Sequence, residues 1–244
     1  MWTMFYARLL PATVISLAAW MFPSTALAAQ NDELWPLPGA IQAWANRPSK
    51  PGEVIGRMEI VGRISGIAGD LEPAMNLGYE DLFGSGWGVA MEGSILARGQ
   101  GWDLGGFLSV GWDSFPGRKF TDDFGDSLKP DTMDIITVLV GFKGLYDLGH
   151  GFTMDTRVGL GAALYHPVDG TLILSGIPLE IEVFKATTAV AFDFGFRFGY
   201  TVDPVFFDLG LGVRLQGPPK NGDLDFNSAG PAIVALEAGV GLRF

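Results

Sequence analysis

The chain has 244 residues, no cysteine, 35 glycines and 18 phenylalanines, and its 27 acidic residues against 16 basic ones give a net charge of −11. The lack of cysteine excludes a disulfide framework and a thiolate-held metal. The acidic balance argues against a nucleic-acid partner, because phosphate recognition needs basic patches.

Residues 1–29 carry one charge, Arg8, then an apolar run from Leu9 to Phe22, Pro23, and the small-x-small sequence Ala26-Leu27-Ala28. This is the layout of a secretory signal peptide and implies export. The run is short for an anchor helix, which needs about 20 residues. Residues 30–53 read as a periplasmic leader. Trp35, Ile41 and Trp44 fit a short interfacial helix closed by Pro48 and Pro51, and they fit a disordered stretch equally well.

From residue 54 onward, period-two alternation recurs in eight stretches, about 54–67, 86–98, 101–113, 132–147, 151–166, 186–201, 204–215 and 232–244. Each reaches the roughly 9–11 residues of a tilted membrane strand, whereas an ordinary globular strand has about 5–6. The second, fourth and sixth stretches end in very short links, "RGQGW", "YDLGHG" and "YTVDP", which carry tight-turn residues. The other links are long. Short turns at one end and long loops at the other describe a bacterial outer-membrane barrel, with both chain ends on the short-turn, periplasmic side.

The two faces of each stretch differ in kind. In 186–201, Val190, Phe192, Phe194, Phe196, Phe198 and Tyr200 share one face, and Ala191, Asp193, Gly195, Arg197 and Gly199 share the other. A soluble barrel would turn Thr, Lys and Glu toward water, since glycine weakens a strand. A face of glycine with occasional charge suits a narrow lumen, and an eight-stranded barrel is just wide enough for side chains to fill it. Trp87, Trp102, Trp112, Tyr146, Phe152, Tyr200 and Phe244 fall near strand ends, where interfacial girdles belong. The expected fold is therefore all-β, an eight-stranded antiparallel up-and-down transmembrane barrel over residues 54–244.

The chain closes on "VALEAGVGLRF", in which Val234, Leu236, Ala238, Val240, Leu242 and Phe244 lie on one face. A terminal Phe on an alternating strand resembles the signature that the assembly machinery of outer-membrane proteins reads. The whole pattern over 54–244 is similar to the OmpA transmembrane domain and the small OmpX- and OmpW-like barrels. That resemblance implies residence in the outer membrane, contact with its lipid and lipopolysaccharide, and Phe244 as assembly signal. It carries no catalytic motif.

Placing the small-residue face inward puts Glu59, Glu92, Asp103, Asp155, Asp193, Asp208 and Glu237 in the lumen, together with Arg57, Arg63, Lys143, Arg157, Arg197, Arg214 and Arg243. Buried charges are costly unless paired, so balanced numbers predict a neutralised ion-pair network that plugs the lumen. A narrow channel for cations or small solutes is the alternative.

The four long loops hold 13 acids and 5 bases, which suits a solvated outer surface, a cation-attracting mouth or divalent bridging to lipopolysaccharide phosphates. They are also the place for an extracellular ligand. "NGDLDFN" resembles the start of a calcium loop, but Phe226 replaces the required glycine. "DGTLILSGIPLEIEVFK" predicts a hairpin turning at Ser175-Gly176, an extension of two barrel strands whose edge could take a partner strand; two further spanning strands are the other reading.

His166, with Asp169 and Ser175 nearby, matches no local motif of the outer-membrane lipid A-modifying enzymes. His150 lies in a short turn. The repeated Gly-x-Gly pairs sit on strands and not at strand-to-helix turns, so they are not phosphate loops. The reading is a structural or surface-interaction protein with no enzyme activity, no cofactor and no metal; a lipid A-modifying outer-membrane enzyme is the third reading, after the channel.

Overall fold

The computed structural model describes residues 52–73, 77–122 and 124–244. The expected signal peptide, residues 1–29, and nearly all of the expected leader, residues 30–53, lie outside them.

In chain order the elements are β1 (Val54–Ala68), β2 (Asp70–Glu72), β3 (Leu77–Gly78), α1 (Tyr79–Leu82), β4 (Gly86–Arg98), β5 (Trp102–Phe115), β6 (Phe120–Thr121) and β7 (Ser127–Pro130). There follow β8 (Met133–Gly149), β9 (Phe152–Tyr165), β10 (Val168–Leu174), β11 (Ile177–Lys185), β12 (Thr187–Val202), β13 (Val205–Gln216), β14 (Lys220–Asn221) and β15 (Ala232–Arg243). Eight of these strands close an antiparallel barrel in the order β1-β15-β13-β12-β9-β8-β5-β4. Every barrel strand pairs with its neighbour along the chain, and β15 returns to β1 from Arg57↔Arg243 to Ala68↔Ala232. The backbone seam is completed beyond β15. Gly56 and Phe244 exchange N–H···O bonds of 2.8 and 2.9 Å.

The barrel is inside out relative to a soluble one. Phe142 is 80% exposed and Ile64 67%, while Arg197 and Asp155 are fully buried. In water that arrangement opposes the hydrophobic effect over the whole outer surface. Aromatics mark both ends of the outer face. Trp87 and Trp112 meet edge to face at 4.8 Å near the long-loop end, and Phe152 and Tyr200 meet at 4.9 Å near the short-turn end. On β5, Trp102 and Trp112 stand ten positions apart, which at an ordinary strand rise and tilt is roughly 24 Å of height.

The long connections fold together at one end. Parts of three of them build a five-stranded sheet in the order β14-β11-β10-β7-β6. The β10–β11 hairpin turns through Ser175 and Gly176, both at positive φ (49° and 84°), as a two-residue hairpin turn requires. It does not extend β9 and β12 in one continuous ribbon. Breaks at His166-Pro167 and Ala186 release it to pair with β7 and β14 instead, so the barrel has eight strands and not ten. The edge expected to be open is largely closed. Asp223 bonds both the N–H and the C=O of Glu182. By alternation, the next outward-facing residues are Glu180 and Pro178, and a proline offers no donor to an added strand.

A core lies under this sheet. Leu71, Tyr79, Leu82 and Phe83 from the first connection meet Leu128, Val168 and Phe184 from the second and third, above Phe115, Met133, Ile135 and Ile233 of the barrel rim. The Phe184 ring stacks on Tyr79 and Phe83 at 6.3 Å each and meets Phe226 of the fourth connection at 5.9 Å.

Candidate functional site: the charged lumen

The inward face repeats one device. A glycine stands where a long charged side chain must pass. A Cβ at Gly195 would lie 2.8 Å from Arg157 Nε, one at Gly212 would lie 2.7 Å from Glu237 Oε1, and one at Gly239 would lie 3.1 Å from Glu59 Oε2. At Gly111 it would collide with the Arg63 guanidinium, and at Gly199 with Asp208. Lumen volume is therefore assigned to Arg, Lys, Asp and Glu by removing Cβ atoms from neighbouring strands. This explains why so many inward positions are glycine despite its poor strand propensity.

Two linked clusters result. In the lower one, Lys143 Nζ lies 2.7 Å from Glu59 Oε1 and 2.8 Å from Asp155 Oδ2, and it also bonds Glu92. Arg197 donates from Nη1 and Nη2 to the two oxygens of Glu59, at 3.0 Å each. Arg57 donates to Asp208 at 3.2 Å, and its guanidinium lies 3.7 Å over the Phe206 ring. In the upper cluster, Arg157 bonds Asp193 and Glu237 at 2.7 Å each. Arg214 bonds Asp113 at 2.7 Å and lies 3.4 Å from Asp193, and Arg63 reaches the other oxygen of Asp113 at 3.3 Å. Arg157 joins the two clusters through Glu92 at 3.4 Å.

Twelve of the fourteen charged residues assigned to the lumen from sequence take part in these clusters. Asp103 does not. It is half-buried at the short-turn rim, 3.9 Å from Arg98, which also holds Glu53 at 3.3 Å. Arg243 is half-buried and forms no ion pair among the described residues; its backbone N–H bonds Pro204 O. Asp113, which is missing from the set assigned by sequence, is buried and holds two arginines. It shares the parity of Asp103, so the alternation that finds the others extends to it. It is the last residue of the expected stretch 101–113, and the strand runs two residues past it, to Phe115.

Apolar layers seal both ends of the charged layer. Ile55, Leu96, Leu145 and Phe206 are buried at the short-turn end. Ile67, Phe115, Ile135 and Ile233 are buried at the loop end and continue into the loop core, while the Phe107 ring fills the space over Gly141 and Gly159 beside the charged groups. A hydrated path through the barrel would have to break both layers and the ion pairs between them.

The other candidates are used differently. His150 and His166 are exposed and make no side-chain hydrogen bond or ion pair among the described residues. Ser175 sits at the β10–β11 tip, its N–H bonded to Asp126 at 2.8 Å. In the calcium-like stretch, Asn221 donates to Asp225 at 3.0 Å and to Phe226 O at 2.8 Å, which fixes the loop itself.

No family model and no curated protein sequence matches this chain. Solved outer-membrane barrels do. Ail, the attachment invasion locus protein of Yersinia pestis, in complex with the heparin analogue sucrose octasulfate, is 12% identical over 79% of this chain and 99% of its own, with a TM-score of 0.42. A major outer membrane protein from Thermus thermophilus is 16% identical over 78% of this chain and 99% of its own, also at 0.42. The outer membrane enzyme PagL is 10% identical over 74% of this chain and 98% of its own, at 0.38. At these values the likeness carries nothing on activity.

Proposed function

We propose that this chain is an outer-membrane barrel whose lumen is a structural plug, and that it acts at the cell surface through its loop sheet without performing chemistry or conduction. The observation that carries this reading is the sealed charged layer: thirteen buried ionisable side chains between two apolar layers, inside an apolar outer wall. Such a wall is stable only against lipid, and a closed barrel leaves no backbone group unpaired there. The opposite layout, apolar inside and charged outside, would mark a soluble barrel.

Orientation follows from the turns. The short links face the periplasm and the loop sheet faces out. In this reading the 13 loop acids disfavour direct binding of polyanions and leave a place for a cationic or neutral ligand. Phe244, 71% exposed with its ring over Gly56, is the mark that the assembly machinery reads on the terminal strand.

The test is cell fractionation of the full chain with heat-modifiable gel mobility, followed by protease treatment of intact cells. Surface cleavage confined to the loop sheet supports the reading. A soluble periplasmic product with no mobility shift would overturn it.

A further inference from the structure

The lower cluster does not balance. Four carboxylates, Glu59, Glu92, Asp155 and Asp208, share it with three cations, Arg57, Lys143 and Arg197. The upper cluster is even, with Asp113, Asp193 and Glu237 against Arg63, Arg157 and Arg214. Arg157 approaches Glu92 only at 3.4 Å while holding two upper acids at 2.7 Å. Arg243, the remaining base near the lower rim, forms no ion pair among the described residues. All seven acids and six bases are at most 6% exposed. One negative charge is therefore left over between apolar layers, where an uncompensated ion is strongly disfavoured.

The place of the excess is visible. Glu59, Asp155 and Asp208 each offer an oxygen within 4.8 Å of the others. Asp155 Oδ1 and Asp208 Oδ1 have no hydrogen-bond partner among the described residues. The three acids are served unequally. Asp155 has Arg57, Lys143 and Arg197 around it, Glu59 has Lys143 and Arg197, and Asp208 has Arg57 alone. We propose that the folded barrel retains one proton on this group, carried chiefly by Asp208. The proton removes the excess charge. A metal ion would remove the charge too, but three cationic side chains already lie within 4 Å of the same Asp155 oxygen. The groups facing the site come from strands all around it: Arg57 and Glu59 from β1, Glu92 from β4, Lys143 from β8, Asp155 and Thr153 from β9, and Arg197 from β12; β15 contributes Gly239 and Gly241 and, 3.9 Å from Arg197, the upper-cluster Glu237.

This rests on the sealed lumen, and the consequence is a barrel with a fixed proton content that loosens when the proton is withdrawn. The test is infrared spectroscopy of the full chain refolded into vesicles at neutral pH. The carbonyl stretch of a protonated carboxylic acid is expected in the wild type, is removed by Asp208→Asn, and survives Asp113→Asn. Urea unfolding of D208N is expected to match wild type at neutral pH and to exceed it at alkaline pH. Absence of the wild-type band overturns the proposal, and that result needs no variant to fold. Loss of the band on Asp113→Asn alone overturns it, as does one equivalent of metal in the purified barrel by elemental analysis. A barrel that conducts yet keeps the band would sink the plug and leave the proton standing; a silent barrel without the band would do the reverse.

Discussion

Arg197 of β12 and Glu59 of β1, 138 residues apart in sequence, face each other across the lumen and form a paired set of hydrogen bonds, two nitrogens to two oxygens at 3.0 Å. They are separated in the barrel wall by β13 and β15, so the bond braces the wall across its interior. Fork-to-fork geometry of this kind is the strong form of an Arg–carboxylate pair. Removing one partner strands the other in a dry layer. Arg197→Met should lower stability by about 3–5 kcal/mol, read as a lower urea midpoint of the heat-modifiable band. Adding Glu59→Leu should recover part of the loss, and no recovery would mean the pair is not coupled.

Glycine on the two faces should respond oppositely. A Cβ at inward Gly111 collides with Arg63 and lies 3.2 Å from Ala90 Cβ, whereas outward Gly66 and Gly93 have nothing within 4 Å. Gly111→Val should cost about 1–3 kcal/mol through overpacking and displacement of Arg63. Gly66→Val and Gly93→Val should be neutral or stabilising, since valine suits a strand and lipid accepts it. Equal destabilisation at all three sites would argue against the inside-out wall.

The loop core carries its own titration. Burial pushes the Tyr79 phenol up to about 12. A group raised in the folded state supports that state fully below its ordinary value, near 10, and loses that support as pH rises toward its folded value. The loop sheet should therefore loosen between about pH 10 and 12, and Tyr79→Phe should remove part of this loss. Protease sensitivity of the loops across that range measures it. A profile unchanged by Tyr79→Phe would show that another group governs the loosening.

Phe244 can be separated from the seam it closes. Its ring covers outward-facing Gly56 and its backbone exchanges two hydrogen bonds with that residue. Phe244→Ala keeps the backbone bonds and removes the ring. Folded yield in cells should fall several-fold, while refolding of the purified chain into detergent should change little. Equal loss in both settings would make Phe244 a packing residue and not an assembly signal.

Much of this architecture is local in origin, and that part is legible in the chain. Alternation in Val190–Tyr200 separates the two faces of β12 without knowledge of any neighbour. The loop sheet is not legible in that way. Ser127–Pro130 pairs with Gly170–Ile173, segments about forty residues apart; alternation predicts the hairpin that holds the second, but nothing local announces its pairing with the first. The same limit applies to the lumen. Parity places Arg197 and Glu59 inward, but which acid meets which base depends on register around the whole barrel. Asp113 escapes for a smaller reason, its place as the last residue of the expected stretch 101–113.

The central claim is that ion pairs and apolar layers close the barrel. Single-channel recording of the refolded mature chain in a planar bilayer, after a gel shift confirms folding, tests it most directly. The account predicts a silent bilayer for the wild type, with current appearing when Arg197 or Asp193 is replaced and the plug is loosened. Discrete cation-selective steps from the wild-type barrel, altered by those same replacements, would contradict it and make the lumen a pore.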